Sequence, residues 1–174
     1  KNFGIPCGCC ADGPSGMRLD CGIKAVEKVK YATQRNVDII ICDHHNPDDV
    51  LPAAVAVLDP KRVDSTYPYA HLSGCGVGFK LMQAFAINNH IPFDKLLPFM
   101  DLLAVSIASD IVPISGENRV LMLFGLKQLN ANPCIGLQGI IDVCGLRGKE
   151  VTVSDIVFKI GPRINAAGRM ESGR

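Results

Sequence analysis

The sequence predicts an α/β fold in which a parallel β-sheet flanked by helices is followed by a mostly helical part. Two short runs rich in β-branched residues, Val37-Asp38-Ile39-Ile40-Ile41-Cys42 and Ala53 to Leu58, are apolar with little alternation, the mark of strands buried on both faces. A segment with helical spacing precedes the first run and several follow the second. Strand, helix, strand, loop and strand in that order call for parallel pairing, because parallel neighbours need a crossover.

Residues 1–16, KNFGIPCGCCADGPSG, show neither a period of 2 nor one of 3.6 and read as loop. Met17–Leu19 reads as the tail of a first strand. Ala25, Val26, Val29 and Ala32 place a helix within 22–36, with Lys and Glu on its other face. The polar turn Asn46-Pro47-Asp48-Asp49 separates the two apolar runs. Beyond Pro60, helices are expected over 74–89 (Val77, Leu81, Ala84, Phe85), over 93–108, which is apolar nearly all round, and over 117–129. A shorter one begins at Pro133. Val151-Thr152-Val153 looks strand-like, and Ser154 is positioned to cap a last turn running through Lys159.

With 174 residues the chain has room for one domain and can bury about two-thirds of its unfolded surface. Eighteen Lys and Arg against 17 Asp and Glu leave a formal charge of +1, which excludes a generally basic nucleic-acid binder; any polyanion affinity must be local. No apolar run reaches the length of a membrane span. Eight cysteines could suggest a disulfide framework, but Cys21, Cys42, Cys75 and Cys144 lie in or beside apolar stretches, where a reduced thiol packs as a small hydrophobe. Cys7, Cys9 and Cys10 cluster without a second pair at zinc-site spacing. The expectation is a reduced, cytoplasmic protein.

Chemistry concentrates at the strand ends. Asp43-His44-His45 follows the buried run directly, and ligands of open parallel sheets bind at the carboxyl ends of strands. Imidazole nitrogen and carboxylate oxygen together suit a divalent metal, although a capping Asp followed by two solvated histidines explains the same triplet. Asp20 stands at the end of the first expected strand, on the same sheet edge as Asp43. Asp110, in Ser109-Asp110-Ile111-Val112-Pro113, is an acid in an apolar stretch that needs a partner, a metal or a capping role. Downstream, Gly161-Pro162-Arg163-Ile164-Asn165-Ala166-Ala167-Gly168-Arg169 joins small residues to two arginines six apart, able to fork onto phosphate oxygens. Ser73-Gly74-Cys75-Gly76-Val77-Gly78 fits an anion-cradling helix start or simply tight helix packing.

Five separated segments, Asp20-Cys21-Gly22, Asp43-His44-His45, Ser73 to Val77, Ser109 to Pro113 with Gly116-Glu117-Asn118-Arg119 after it, and Gly161 to Arg169, occur in order. Together they resemble the DHH phosphoesterase superfamily, and within it the RecJ branch of single-strand-specific 5′→3′ DNA exonucleases acting in repair and recombination. The resemblance implies a site of two divalent metals, Mn²⁺ or Mg²⁺, with Asp20 the bridging carboxylate and His44 and Asp110 further ligands. It makes Asp43 the acid that orients the motif and His45 the histidine beside the scissile phosphate. Arg169, with Arg163 and Asn165, matches the segment that holds the DNA phosphate. The implied chemistry is in-line hydrolysis, with two cations clamping the phosphodiester and activating water. Single-stranded DNA is the implied substrate; a single-strand-binding protein and a RecQ-type helicase are the implied protein partners.

The family's first Asp-x-Asp motif does not precede Asp20, where Asp12 is the one earlier acid. The resemblance therefore implies an irregular or truncated segment 1–19, a DHH catalytic domain over 20–150, and in 151–174 the start of a connection to a DNA-binding DHHA1-type domain. A chain short of these ligands is expected to be weak or inactive alone. Two other readings remain open at this point: another DHH phosphodiesterase, acting on oligoribonucleotides or cyclic dinucleotides, and a DHH scaffold that binds without catalysing.

Overall fold

The computed structural model describes residues 15–170. Three parallel strands, β1 (Ser15–Leu19), β2 (Asp38–Cys42) and β3 (Ala56–Leu58), form one sheet in the order β1-β2-β3. Their register pairs Leu19 with Cys42 and Cys42 with Leu58, so the three strands end level with one another. Ile39, Ile41 and Cys42 are buried because β2 is central and covered on both faces. One face packs on α1 (Val26–Thr33), whose Val29 and Ala32 meet Ile39 and Ile41. The opposite face meets the larger core, in which Cys42 and Leu72 join the helical part.

That part is built around α3 (Met100–Ser109), in which Leu103, Ala104 and Ile107 have no exposed surface. It lies against α2 (Gly74–Asn88) and α4 (Gly116–Ala131). Gly125 permits the close crossing, since a Cβ there would overlap the Met100 carbonyl and Ala104. A shorter helix, α5 (Ile135–Val143), adds Leu137 and Ile141 to the same core. The buried Asp101 carboxylate accepts from the Cys134 amide at 2.7 Å and so joins the start of α3 to that of α5.

Several expected boundaries move for local reasons. The helix expected over 22–36 shortens to α1, since Gly22 (φ +120°) and Asn36 (φ +56°) carry turn conformations. Pro98 lacks an N–H, and the helix expected from 93 begins instead as two 3₁₀ turns, Phe93–Lys95 and Leu97–Phe99. Residues 151–153 form no strand. The Asn130 side chain takes the place of a neighbouring strand, accepting from the Val151 amide at 2.7 Å and donating to its carbonyl at 3.0 Å. The cap is Thr152 rather than Ser154, in a reciprocal capping box with Asp155. It opens α6 (Val153–Asp155), which runs through a π-helical turn (Ile156–Ile160) into α7 (Gly161–Met170). Of the segment read as loop, Ser15 and Gly16 belong to β1; residues 1–14, with Cys7, Cys9 and Cys10, lie outside the described residues. No helix among the described residues is long and apolar enough to cross a membrane.

The reduced-thiol reading can be tested by titration. Burial, then the charge of Asp43, pushes the Cys42 thiol up to about 11. Burial, then the charges of Asp20 and Asp110, does the same for Cys75. Only about 0.1% of either thiol is therefore ionised at pH 8. Both should resist iodoacetamide in the folded chain at that pH and react on unfolding, as mass spectrometry of the labelled peptides would show; native labelling at the rate of free cysteine would contradict this packing.

Candidate metal centre

Each of the three parallel strands is followed at once by an aspartate: Leu19-Asp20, Cys42-Asp43 and Leu58-Asp59. The level strand ends place all three on one rim. The Asp20 amide donates to the Cys42 carbonyl at 2.9 Å, extending the ladder by one bond, and its φ of +60° then turns the chain away. Gly74, the first residue of α2, packs directly onto Asp20; a Cβ there would overlap the Asp20 Cα and carboxylate. Gly78 admits the Leu19 side chain one turn later. The glycines of 74–78 thus serve close helix packing, and the Ser73 hydroxyl caps α2 by accepting from the Gly76 amide at 3.2 Å.

Asp43 is 1% exposed and holds the rim together. Its Oδ2 accepts from the Ile23 amide at 2.8 Å. Its Oδ1 accepts from the amides of His44 (2.8 Å) and His45 (3.2 Å) and from His45 Nδ1 (2.7 Å). Burial alone would raise its pKa, but these four donors outweigh burial and hold the carboxyl below its ordinary value. A carboxylate only accepts, so His45 Nδ1 carries the proton and Nε2 faces away from Asp43.

His44 is buried, and its Nε2 lies 3.0 Å from Asp20 Oδ1. That hydrogen bond raises the imidazole above its ordinary pKa, against the effect of burial. The ring stands edge-on to His45 with centroids 4.6 Å apart. One donor atom from each of Asp20, His44 and His45 falls within 4.8 Å of the others. Asp110 stands outside that cluster, as the C-cap of α3, and accepts from the Ser106 hydroxyl at 3.2 Å. It nevertheless shares the site's field: desolvation and then the charge of Asp20 push its carboxyl up, while His44 draws it down.

The second expected constellation is helical. Arg163 and Asn165 are exposed on α7, and Arg163 Nη1 donates to the Lys159 carbonyl at 2.9 Å, within its own helical run. Among the described residues, no hydrogen bond or ion pair links either residue to the Asp20 cluster. The start of α7 does approach the site, because Gly161 packs against Ser109, next to Asp110. Arg169 lies in the last turn of α7, with its side chain outside the described residues.

Sequence reasoning missed Asp59, although the rule that selected Asp20 and Asp43 selects it too. It is 5% exposed; Oδ1 accepts from the Lys61 amide at 2.8 Å, while the buried Oδ2 has no hydrogen-bond partner. Burial raises its pKa, assisted by the Asp43 charge. His44 Nδ1 is likewise buried without a partner. A ligating histidine carries its proton on the nitrogen away from the metal, so His44 can turn Nε2 as a lone pair toward a cation beside Asp20. Hard carboxylate oxygen with imidazole nitrogen suits Mn²⁺ and tolerates Mg²⁺, so the donor set fits a hard divalent ion.

Residues 16–107, more than half of the chain, match the model of the DHH family, N-terminal domain. The chain belongs to the DHH family. Among DHH relatives, the single-stranded-DNA-specific exonuclease RecJ of Bacillus subtilis is 39% identical over 155 residues, covering 89% of this chain and 19% of its own length. RecJ of Escherichia coli is 33% identical over 165 residues, covering 89% of this chain and 29% of its own. The crystal structure of Thermus thermophilus RecJ in complex with Mn²⁺ superposes with a TM-score of 0.77 at 29% identity, over 92% of this chain and 24% of that one. The chain thus spans less than a third of the length of these DHH relatives.

Replacing Asp43 tests the rim. Asp43→Asn keeps the shape but turns an N–H₂ toward one set of donors, and should cost about 2–4 kcal/mol at pH 7. A carboxyl held low in the fold contributes stability that is present above its unfolded value near 3.8 and lost as pH falls through its folded one. The gap between wild type and variant in urea unfolding should therefore narrow below about pH 4; a gap independent of pH would count against the ionised rim.

Proposed function

We propose that this chain is the catalytic core segment of a metal-dependent exonuclease that degrades single-stranded DNA from the 5′ end. The observation that carries the reading is the Asp20–His44 pair, 3.0 Å apart at the carboxyl ends of adjacent parallel strands in a DHH domain. The RecJ likeness over most of the chain supports the substrate class.

In this reading Asp20, His44 and Asp110 hold Mn²⁺ or Mg²⁺. When bound, the metal supplies positive charge to the phosphodiester and activates water for in-line attack. The protein's own residues do the rest. Asp43 fixes the His45 ring through Nδ1, so that Nε2 is presented to the scissile phosphate and can hold or release a proton there. Arg169, Arg163 and Asn165 on α7 are the proposed phosphate grips; the packing of Gly161, the first residue of α7, on Ser109 supports this reading. Arg163 must leave its bond to Lys159 to serve. Residues 20–150 are the proposed DHH catalytic domain, and 151–174 lead toward a DNA-binding domain of the longer protein. Repair and recombination, a cytoplasmic setting, and contacts with a single-strand-binding protein and a RecQ-type helicase complete the proposal.

The decisive assay uses the longer protein with labelled single-stranded DNA, short RNA and cyclic dinucleotides, each with Mn²⁺ and with chelator. Metal-dependent release from the 5′ end of DNA is expected, with a loss of at least 10³ in kcat for Asp20→Ala and for His45→Ala, and little or no turnover by this chain alone. Preferential hydrolysis of RNA or cyclic dinucleotides would move the protein to another DHH activity; turnover unaffected by chelator would overturn the reading.

A further inference from the structure

The segment Gly116-Glu117-Asn118-Arg119, which opens α4, has no part in the site just described, yet its side chains bind both flanks of that site. Asn118 has no exposed surface, and its Nδ2 donates to two backbone carbonyls, His71 at 2.6 Å and Pro113 at 3.0 Å. His71 stands just before Ser73 and Gly74, the helix start that seats Asp20. Pro113 stands three residues after Asp110. One amide therefore joins the chain supporting Asp20 to the chain leaving Asp110.

Neighbouring contacts repeat the connection. The Tyr69 hydroxyl lies 2.8 Å from the Ser115 carbonyl and 3.2 Å from that of Pro113. Its ring lies against Gly116, where φ is +48° and a Cβ would collide with the ring. Tyr67 donates to Glu117 Oε2 at 2.6 Å, and Glu117 Oε1 pairs with Lys80 of α2 at 3.1 Å. Between Asp110 and Pro113, Ile111 adopts φ +53°, a conformation that costs a β-branched residue about 1–3 kcal/mol and persists only where flanking contacts enforce it. The Asn118 and Tyr69 bonds to Pro113, two residues on, are contacts of that kind, and together they form a latch.

We infer that Asn118 is a positioning residue for the metal site: with Tyr69 it sets the separation of Asp110 from Asp20 and His44, and thereby cation affinity. This inference rests on the proposed metal-binding role of Asp20, His44 and Asp110. An exposed carboxylate at a helix end is otherwise free to swing, and tight binding of a hard divalent ion depends on a fixed array of oxygens.

The test is Mn²⁺ titration of this chain by calorimetry, at a temperature where every variant is folded, with the melting temperature measured alongside. Asn118→Ala should weaken Mn²⁺ binding about tenfold, and Tyr69→Phe, which keeps the ring and serves if Asn118→Ala does not fold, about threefold. Leu137→Ala, a core truncation in α5 away from the latch, should lower the melting temperature with Mn²⁺ affinity unchanged. Because Asn118 acts through Asp110, adding either latch change to Asp110→Asn should weaken binding no further than Asp110→Asn alone. Latch variants within twofold of wild type, fully additive losses, or an equal loss in Leu137→Ala would each overturn the inference while leaving the metal site standing. Absence of Mn²⁺ binding by the wild-type chain would instead remove the metal reading, and this inference with it.

Discussion

A single buried carboxylate, that of Asp43, sets the geometry on which the rest of the site depends. Four donors converge on its two oxygens, from the start of the chain leading to α1, from the two residues that follow, and from the His45 ring. A charge at 1% exposure is tolerable only because every donor points at it; with fewer bonds it would take up a proton and let the loop relax. Its bonds turn the backbone after β2 so that His44 lies in toward Asp20 while His45 stands out in solvent. Asp43 thus serves structure, and its bonds leave His44 Nε2 facing Asp20.

The fold makes that arrangement possible by ending three strands at one level and packing the first turn of α2 directly on the outermost. Without a Cβ at Gly74, the helix comes close enough to press on Asp20. The same rim then collects carboxylates: burial first, and then the charges of Asp20 and Asp110, raises the Cys75 thiol, and Asp59 sits buried with one oxygen unpartnered. Like charges gathered at such density repel, and a cation bound among them relieves the repulsion. The crowding of carboxylates and the fitness of the rim for a divalent ion are one property.

Much of this was legible in the sequence because the signals were local. The β-branched runs became β2 and β3, the helical spacing became α1 to α5, and Asp20 and His44 followed from the rule that parallel sheets bind ligands at strand ends. Features set by distant partners were not legible. Val151-Thr152-Val153 looked like a strand because its residues are β-branched, but the Asn130 side chain makes the backbone bonds that a neighbouring strand would make to Val151. Asp59 went unread, since its burial depends on packing around β3. The latch role of Asn118 needs His71 and Pro113 to be neighbours, which no reading of adjacent residues reveals. Gly161 to Gly168 read as small residues that permit a close approach, and Gly161 does pack closely on Ser109; what the reading lacked is that the run is helical, with Arg163 on an exposed face of α7.

The proposed site divides the labour: Asp20 and His44 would hold the cation, and Asp43 organises them without touching it. Anomalous diffraction from crystals of this chain soaked in Mn²⁺ tests it directly. A manganese peak is expected within about 2.5 Å of an Asp20 oxygen and of His44 Nε2, with Asp43 still accepting from Ile23 and His45. A peak coordinated by Asp43, or one that leaves Asp20 and His44 bonded to each other, would contradict it.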